Sequence, residues 1–381
     1  MKRTISMADP HFDAEDKARI LAGVEAILDG VLSMGPNVRA FEEEFAAMTG
    51  VRHAIAMNAC TSTIEAALQY FQVAGREVIV PAETFIATGM AVHLSGGIPV
   101  FAEVARSTLC LDLEDVARRV TEKTAGIILV HMAGTITPDV AAFRDFCDTR
   151  GLFLIEDAAH SPGARIGEQR AGSFGHAGCF SFFSTKVLAA GEGGMLTTND
   201  DAIAAFARSY QHRGRDIAAP VETYVMPGRN VRMTEMAALV GRTQLAKLDQ
   251  YLDRRRAIAA IYADALAGQN AIEVLMPPAL EHSSFWKVPV LLAPGVDRAR
   301  VTASMIERGV SVDWAYQPAL HLQPVFRQIS ATADGYLPRT EDLLSRHLCL
   351  PCHPRISDEE ARYVAEQLID AVRVANSQDA V

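Results

Sequence analysis

Lys186 is the residue whose surroundings most clearly suggest chemistry. It lies in the segment 183–188 (FSTKVL), between apolar side chains, and a glycine-rich segment follows at 191–194. A single lysine in such a position is usually an ordinary surface residue of a loop. An apolar environment, however, lowers the pKa of an amine and makes its neutral, nucleophilic form available. Because glycines also permit close approach of a bound group to the backbone, Lys186 is a candidate nucleophile that needs support from other residues.

Asp157 is a second candidate, because it directly follows a strand predicted near residues 152–155. In α/β sheets the carboxyl ends of the strands carry the ligand sites. A carboxylate at such an end is able to hold the protonated ring nitrogen of pyridoxal phosphate (PLP), which makes the ring an electron sink. The alternative is that Asp157 only caps the next helix.

A predicted helix start at residues 60–65 (CTSTIE) supplies a third candidate, a phosphate site. Ser62 and Glu65 have the spacing of a capping box. The hydroxyls of Thr61 and Ser62, together with free backbone N–H groups at a helix start, are suited to an anion. Simple capping explains the same pattern, so this segment leaves both interpretations open.

The elements that must position these residues alternate along the middle of the chain. A helix is predicted at residues 139–150, and short apolar runs predict strands at 77–81, 98–101, 126–130, 152–155, 179–183 and 194–197. Continuous apolar strands that alternate with helices predict a mostly parallel sheet covered on both faces. The stretch 234–267 lacks proline and predicts long helices. A strand at 287–292 and a final helix at 358–375 indicate α+β structure beyond it.

Length and composition limit the class of protein. Because 381 residues exceed what one hydrophobic core usually serves, we predict a large domain at 1–250, with an N-terminal arm, and a smaller α+β domain at 251–381. The net charge of −10 argues against general affinity for nucleic acid or anionic membranes. The sequence has no apolar run of about 18 residues and no signal-peptide pattern at its N-terminus. With six scattered cysteines, which suggest reduced thiols, we expect a cytoplasmic protein without a metal site.

Taken together, these segments resemble the PLP-dependent sugar aminotransferases of the DegT/DnrJ/EryC1/StrS family over nearly the whole chain. The resemblance rests on the order and spacing of residues 38–68, 81–88 (PAETFIAT), 155–160 (IEDAAH), 179–186 (CFSFFSTK), 191–194 (GEGG) and 228–236 (GRNVRMTEM). It implies the aspartate-aminotransferase fold (PLP fold type I). It also implies a homodimer with shared active sites, and PLP as the cofactor with pyridoxamine 5'-phosphate as its aminated form.

The resemblance also implies roles for individual residues. Lys186 holds PLP as a Schiff base and transfers protons, Asp157 holds the ring nitrogen, and Phe85 stacks on the ring. His160 stands where many members have glutamine, and is expected near the ring hydroxyl. Cys60 stands where the family commonly has glycine, which puts the geometry of the phosphate loop in doubt. The phosphate is expected to contact Thr61, Ser62, Ser181 and the partner subunit's Asn230.

The implied reaction is transfer of an amino group, with glutamate as the expected donor, to a keto-sugar. We expect the acceptor to be a nucleotide-linked keto-deoxysugar in amino-sugar biosynthesis. The candidates for substrate contact are Arg229, Arg232, Tyr316 and His321, although Tyr316 equally fits core packing.

Three other functions remain as alternatives. The first is amination of an inosose in aminocyclitol synthesis. The second is a PLP-dependent sugar dehydratase, and Lys186 argues against it because those members have histidine at that position. The third is a PLP-binding regulatory protein without catalysis. The sequence does not distinguish the nucleotide of the acceptor, or C3 from C4 amination.

Overall fold

A computed structural model describes residues 4–330 and 337–377, with a seven-stranded sheet at its centre. The strands are β1 (His53–Met57), β2 (Glu77–Pro81), β3 (Ile98–Ala102), β4 (Thr124–Val130), β5 (Phe153–Asp157), β6 (Arg165–Ile166), β7 (Gln169–Arg170), β8 (Ala177–Ser181), β9 (Gly194–Thr198), β10 (Ile272–Val274), β11 (Val288–Leu292) and β12 (His347–Leu350). The central sheet has the order β1-β9-β8-β5-β4-β2-β3. A second sheet has the order β10-β11-β12, and β6 and β7 form a short hairpin.

Helices cover both faces of the large sheet. Alternate residues of its central strands point to opposite faces, so Ile127 and Leu129 pack in one apolar cluster while Ile128 packs in the other. The helices are α1 (Ala14–Leu28), α2 (Pro36–Thr49), α3 (Cys60–Tyr70), α4 (Ile86–Leu94), α5 (Leu113–Arg119), α6 (Val140–Asp148), α7 (Asp201–Gln211), α8 (Glu235–Leu245), α9 (Leu248–Ala265), α10 (Arg298–Glu307), α11 (Phe326–Ile329), α12 (Pro338–Arg346) and α13 (Asp358–Ser377). The first cluster includes residues of α2, α5, α6 and α8, and the second includes residues of α3, α4 and α7.

Strand direction determines where a site forms. All strands of the large sheet run parallel except β9, which pairs antiparallel with both β1 and β8. A parallel neighbour requires a long crossover connection, whereas the loop 182–193 returns directly from β8 into β9. This loop carries Lys186 across the carboxyl ends of the parallel strands, so the topology brings the lysine to the edge that holds Asp157.

A separate apolar core lies in the C-terminal part of the chain. The antiparallel sheet β10-β11-β12 packs with α9, α10 and α13 around side chains such as Tyr262, Val290 and Leu368. The predicted boundary between residues 250 and 251 lies near the start of α9. In sequence it comes after the last strand of the large sheet and before the first strand of the second sheet. Ile5 of the N-terminal arm, however, packs in this second core and pairs with Val310.

The structure contains most of the predicted elements. The fold class is confirmed, and the predicted strands are present, but the one predicted at 179–183 lies two residues earlier, at Ala177–Ser181. Phe182 N–H still donates to the Gly193 carbonyl in the register of β8 and β9, but Phe183 begins a turn in which its carbonyl accepts from Lys186 N–H, so the strand does not continue. The predicted long helical stretch consists of two helices, α8 and α9, and β1 was not predicted. Among the helices of the described ranges, we find none with the length and apolarity needed to span a membrane.

Candidate active site

A cavity of about 430 Å³ opens at the carboxyl ends of the parallel strands, where the loop 182–193 and the start of α3 meet. Its walls come from both the large sheet and the C-terminal part of the chain. The lining residues are Ala59, Cys60, Thr61, Ile64, Thr84, Phe85, Ala87, Thr88, Asp157, Ala159, His160, Ser181, Phe183, Thr185, Lys186, Glu192, Gly193, Trp286 and Tyr316.

Lys186 reaches this cavity from a turn in the return loop, in which its backbone N–H donates to the Phe183 carbonyl. Burial of the amine lowers the pKa of Lys186 from its ordinary 10.5 to about 8, although the nearby Asp157 carboxylate opposes the change. The amine lies 4.3 Å from the centre of the Trp286 ring. At that pKa about a tenth of the amine is neutral at pH 7, which makes some of the nucleophilic form available.

Asp157 is the last residue of β5, and its carboxylate is held by short-range donors. Thr88 Oγ1 donates to Oδ2 at 2.8 Å, and Ala159 N–H donates to Oδ1 at 3.2 Å. Cys60 Sγ lies 4.0 Å from Oδ1. Burial raises the pKa of Asp157, and the Thr88 hydrogen bond is the largest influence that opposes the rise. The ionised form of such a buried carboxylate is stabilised most by a cationic partner within the cavity.

The start of α3 has no side-chain cap, so the predicted capping box of Ser62 and Glu65 is wrong. The helix begins at Cys60, with Ala59 as its N-cap, which places Ser62 inside the first turn rather than before it. Ser62 Oγ instead donates to Asn58 Oδ1 at 2.7 Å. Because Ala59 carries no acceptor group, the first N–H groups of α3 remain available to an anion at the edge of the cavity.

His160, Tyr316 and Trp286 form an aromatic wall. His160 Nε2 lies 2.9 Å from the Tyr316 hydroxyl, and its ring stacks on Trp286 at 4.0 Å and 11°. Burial, followed by the nearby Lys186 charge, keeps the pKa of His160 well below its ordinary range, so the ring is neutral. Its Nδ1 is buried and has no hydrogen-bond partner among the described residues. An orphaned polar atom of this kind fits a polar group of a bound molecule.

Phe85 and Ser181 complete the part of the site that the sequence predicted. Phe85 precedes α4, and its side chain is 54% exposed at the cavity, with its ring 5.5 Å from that of Tyr316. A large exposed aromatic ring beside a cavity is available to stack on a planar ligand. Ser181 ends β8, is buried, and accepts a long hydrogen bond of 3.4 Å from Phe183 N–H. The cavity thus brings together Thr61, Phe85, Asp157, His160, Ser181, Lys186 and Tyr316.

Five predicted residues do not line the cavity of a single chain: Ser62, Arg229, Asn230, Arg232 and His321. Arg229 and Asn230 are exposed. Arg232 lines a separate cavity, with Nη1 2.7 Å from His212 Nδ1. His321 is fully buried, and its Nε2 lies 3.0 Å from Glu341 Oε1. Packing against Glu341 therefore turns His321 away from the cavity.

Sequence reasoning missed two residues that act on the predicted ones, Thr88 and Trp286. Thr88 lies within the motif at 81–88, and its spacing of three residues from Phe85 places it on the first turn of α4, so a local signal existed. Trp286 lies just before the predicted strand at 287–292, about a hundred residues from Lys186 in sequence. No spacing along the chain indicates that contact, because the packing of the C-terminal part on the large sheet creates it.

Known proteins resemble this chain along nearly its full length. The model of the DegT/DnrJ/EryC1/StrS aminotransferase family matches residues 14–369. A dTDP-4-dehydro-2,3,6-trideoxy-D-glucose 4-aminotransferase of Saccharopolyspora spinosa is 34% identical over 374 residues, which cover 93% of this chain and 94% of the relative. A UDP-N-acetyl-3-dehydro-alpha-D-glucosamine 3-aminotransferase of Acidithiobacillus ferrooxidans is 34% identical over 360 residues, with coverage of 93% and 94%.

Solved structures agree with these sequence matches. The crystal structure of DesI in the presence of its TDP-sugar product has a TM-score of 0.88 and 32% identity to this chain. The match covers 100% of this chain and 96% of that one. The similarity therefore extends to the C-terminal part as well as the large sheet, and it confirms the predicted fold class.

Replacing Thr88 tests how the Asp157 carboxylate is held. In Thr88→Val the hydroxyl donor is lost, so the ionised carboxylate loses stabilisation and we expect the pKa of Asp157 to rise by about one unit. The carboxyl would then stay protonated to a higher pH than in the wild type. An infrared pH titration, with Asp157→Asn to assign the carboxyl band, measures this pKa. Thr88→Ser keeps the donor and should titrate as the wild type, whereas an unchanged pKa in Thr88→Val would contradict the assignment.

Proposed function

The chain belongs to the DegT/DnrJ/EryC1/StrS aminotransferase family, and from that premise we propose that it transfers an amino group to a nucleotide-linked keto-sugar. Apart from family membership, one feature of the structure supports this proposal. A lysine amine of lowered pKa, a buried carboxylate and an uncapped helix start line one cavity. The relatives described above act on dTDP- and UDP-linked sugars, which supports a nucleotide-linked acceptor here.

PLP fits the cavity by the chemistry of the residues that line it. Lys186 would hold the cofactor covalently, Asp157 would hold the ring nitrogen, and Phe85 would stack on the ring. The N–H groups at the start of α3, with Thr61 and Ser181, would hold the phosphate, and the orphaned Nδ1 of His160 would meet a ring substituent. When bound, PLP withdraws electrons and so stabilises negative charge at the carbon that carries the transferred amino group.

The residues of this chain then divide the work of the reaction. While it is free of the cofactor, Lys186 Nζ would accept a proton and later return it, and a pKa of about 8 suits both directions near neutral pH. Asp157 stays ionised by pairing with a cation, which offsets the cost of its burial. His160, held neutral, adds no second positive charge beside Lys186.

In the part of the chain that the structure describes, the cavity lacks the positive charges that its proposed substrates require, which supports a second chain as their source. Among the described residues that line it, none is an arginine, and Lys186 is its only lysine. Glutamate, the donor that we propose, carries two carboxylates, and a nucleotide adds phosphates. Exposed Arg229 and the nearby Arg232 would supply the required cations if they reached the cavity of a second copy.

Exposed apolar side chains support such a homodimer. They cluster along α1 with its following loop and along the segment 217–225, and an apolar surface of this extent usually marks an interface. The side chains are Leu21, Leu28, Val31, Leu32, Ile217, Val221, Tyr224 and Val225. Asn230 lies five residues beyond the second segment and is exposed. We propose that it crosses to the phosphate site of the neighbouring subunit, so that each site needs both chains.

A panel of acceptors tests the proposed reaction. We expect amination of at least one keto-sugar linked to dTDP, UDP or GDP, with glutamate converted stoichiometrically to 2-oxoglutarate, and no amination of an inosose. Mass spectrometry of the product measures the exchange of oxygen for an amino group, and both 3-keto and 4-keto sugars should be included. Amination of the inosose alone would establish the cyclitol alternative, and dehydration without amination would establish the dehydratase.

Lys186 should be the lysine that holds the cofactor. Borohydride reduction of the PLP-loaded protein, followed by peptide mapping, should find the label on Lys186. Lys186→Ala should retain PLP through the phosphate contacts, yet lose turnover by about 10²- to 10⁴-fold or more, the range of a general acid–base group. Lys287→Gln removes the neighbouring amine and is the matched control. A label on Lys287, or near wild-type turnover in Lys186→Ala, would show that the assignment is wrong.

A mixed dimer tests whether Asn230 serves the other subunit. One subunit carries Lys186→Ala and the other carries Asn230→Ala, and two different affinity tags isolate the mixed species. If Asn230 crosses the interface, one site has both lesions and the other has neither, so about half of the wild-type turnover should survive. If Asn230 serves its own chain, both sites are damaged. Turnover below that of the Asn230→Ala homodimer would therefore contradict the shared site.

A further inference from the structure

Trp286 lies directly against the amine of Lys186, with Nζ 4.3 Å from the ring centre. Lys287 Nζ lies 4.2 Å from the same ring, and Asp313 Oδ2 holds that second amine at 2.6 Å. The His160 ring stacks on Trp286 at 4.0 Å. The indole therefore contacts two amines and a neutral imidazole, and only one of the two amines, that of Lys186, is available to the cavity.

The indole is fixed in place from several directions. Its Nε1–H donates to the Thr185 carbonyl at 2.8 Å, one residue before Lys186. Buried Arg255 donates to the Phe285 carbonyl at 3.1 Å, and also to the carbonyl of Cys352. Phe285 has a positive φ of 48°, a conformation that costs energy for a residue with a side chain. Trp286 follows this residue, precedes β11, which begins at Val288, and faces the lysine.

The ring face has an electrostatic effect on the amine. An aromatic face is negative, so it attracts an ammonium group but not a neutral amine, and the attraction is strongest where water is excluded. At the same time the apolar ring contributes to the burial that disfavours the charge. The bulk of the ring therefore lowers the pKa of Lys186 by excluding water, whereas its negative face raises that pKa. Only the second effect requires an aromatic residue.

We propose that Trp286 is the positioning residue for Lys186: its face holds the ammonium form while the amine is not bonded to the cofactor, and its N–H holds the Thr185 carbonyl so that the amine returns to the same point. The inference rests on the proposed function, in which Lys186 is the cofactor lysine. Trp286 itself exchanges no proton and forms no bond with the substrate.

The matched comparison uses the two tryptophans of the chain. Trp314 is 41% exposed and lies beside Arg298, not beside Lys186, so Trp314→Leu is the control. In cofactor-free protein, Trp286→Leu keeps an apolar neighbour but removes the aromatic face. We expect the pKa of Lys186 to fall by about half to one unit, and its acylation by acetic anhydride at pH 7 to become about three- to fivefold faster. Trp286→Phe should restore a pKa close to that of the wild type.

Competitive labelling with mass spectrometry gives the labelling rate of Lys186 relative to exposed Lys123. If Trp286→Leu does not fold, tetrafluorotryptophan incorporated into Trp314→Phe protein places the modified ring only at position 286. That ring keeps the shape and the N–H group but loses the negative face, so the same fall in the pKa of Lys186 is expected. A pKa that is unchanged or raised, in either Trp286→Leu or the fluorinated protein, overturns the proposal.

Turnover supplies a second readout in the loaded enzyme. With the lysine less well positioned, Trp286→Leu should lower kcat by about tenfold while KM for the keto-sugar stays within twofold, and Trp286→Phe should recover most of kcat. Equal losses in the leucine and phenylalanine variants would contradict a role for the ring face. The labelling experiment needs neither donor nor acceptor. Failure of the positioning role is therefore distinguishable from failure of the proposed function, which peptide mapping of the reduced cofactor decides.

Discussion

The cavity depends on one buried carboxylate, Glu156, which anchors the carboxyl end of β5. It accepts backbone hydrogen bonds from Gly172, Phe174 and Gly175 at 2.7–2.8 Å, and its Oε2 lies 2.8 Å from His131 Nε2. Such charge-assisted bonds are strong in a dry interior. Because successive residues of a strand face opposite sides, anchoring Glu156 on one face directs Asp157 to the other. The position of the second carboxylate is therefore set by the first.

With Asp157 fixed, the placement of Lys186 becomes an electrostatic balance. Burial raises the pKa of the carboxyl and lowers that of the amine to about 8, and the attraction between the two groups opposes both changes. The return loop into β9 brings the amine to this position, and the ring of Trp286 adds an aromatic surface beneath it. The site thus keeps an amine that is neither permanently charged nor permanently neutral, which is the state that reversible proton transfer requires.

The sequence predicted those parts of the site that are local in the chain. Asp157 and Lys186 lie at strand ends or in short motifs, and short apolar runs located the strands themselves. The capping prediction for Ser62 failed because N-cap positions depend on where the backbone turns into the helix, and the chain turns at Ala59. Trp286 was missed because its contact with Lys186 joins distant segments. His321 was placed at the substrate by motif, but tertiary packing buries it against Glu341.

The distribution of charge separates the residues that would hold the cofactor from those that would choose the substrate. Within one chain the described cavity residues include two acidic side chains, Asp157 and Glu192, and one lysine, Lys186. The start of α3 adds only the partial charge of its N–H groups. This set suffices for the cofactor but not for the phosphates of a nucleotide. Exposed Arg229 and half-buried Arg232, on either side of Asn230, lie outside the cavity of their own chain. In the proposed homodimer this segment would face the neighbouring cavity and supply cations for the nucleotide phosphates, apart from the buried pair of Lys186 and Asp157.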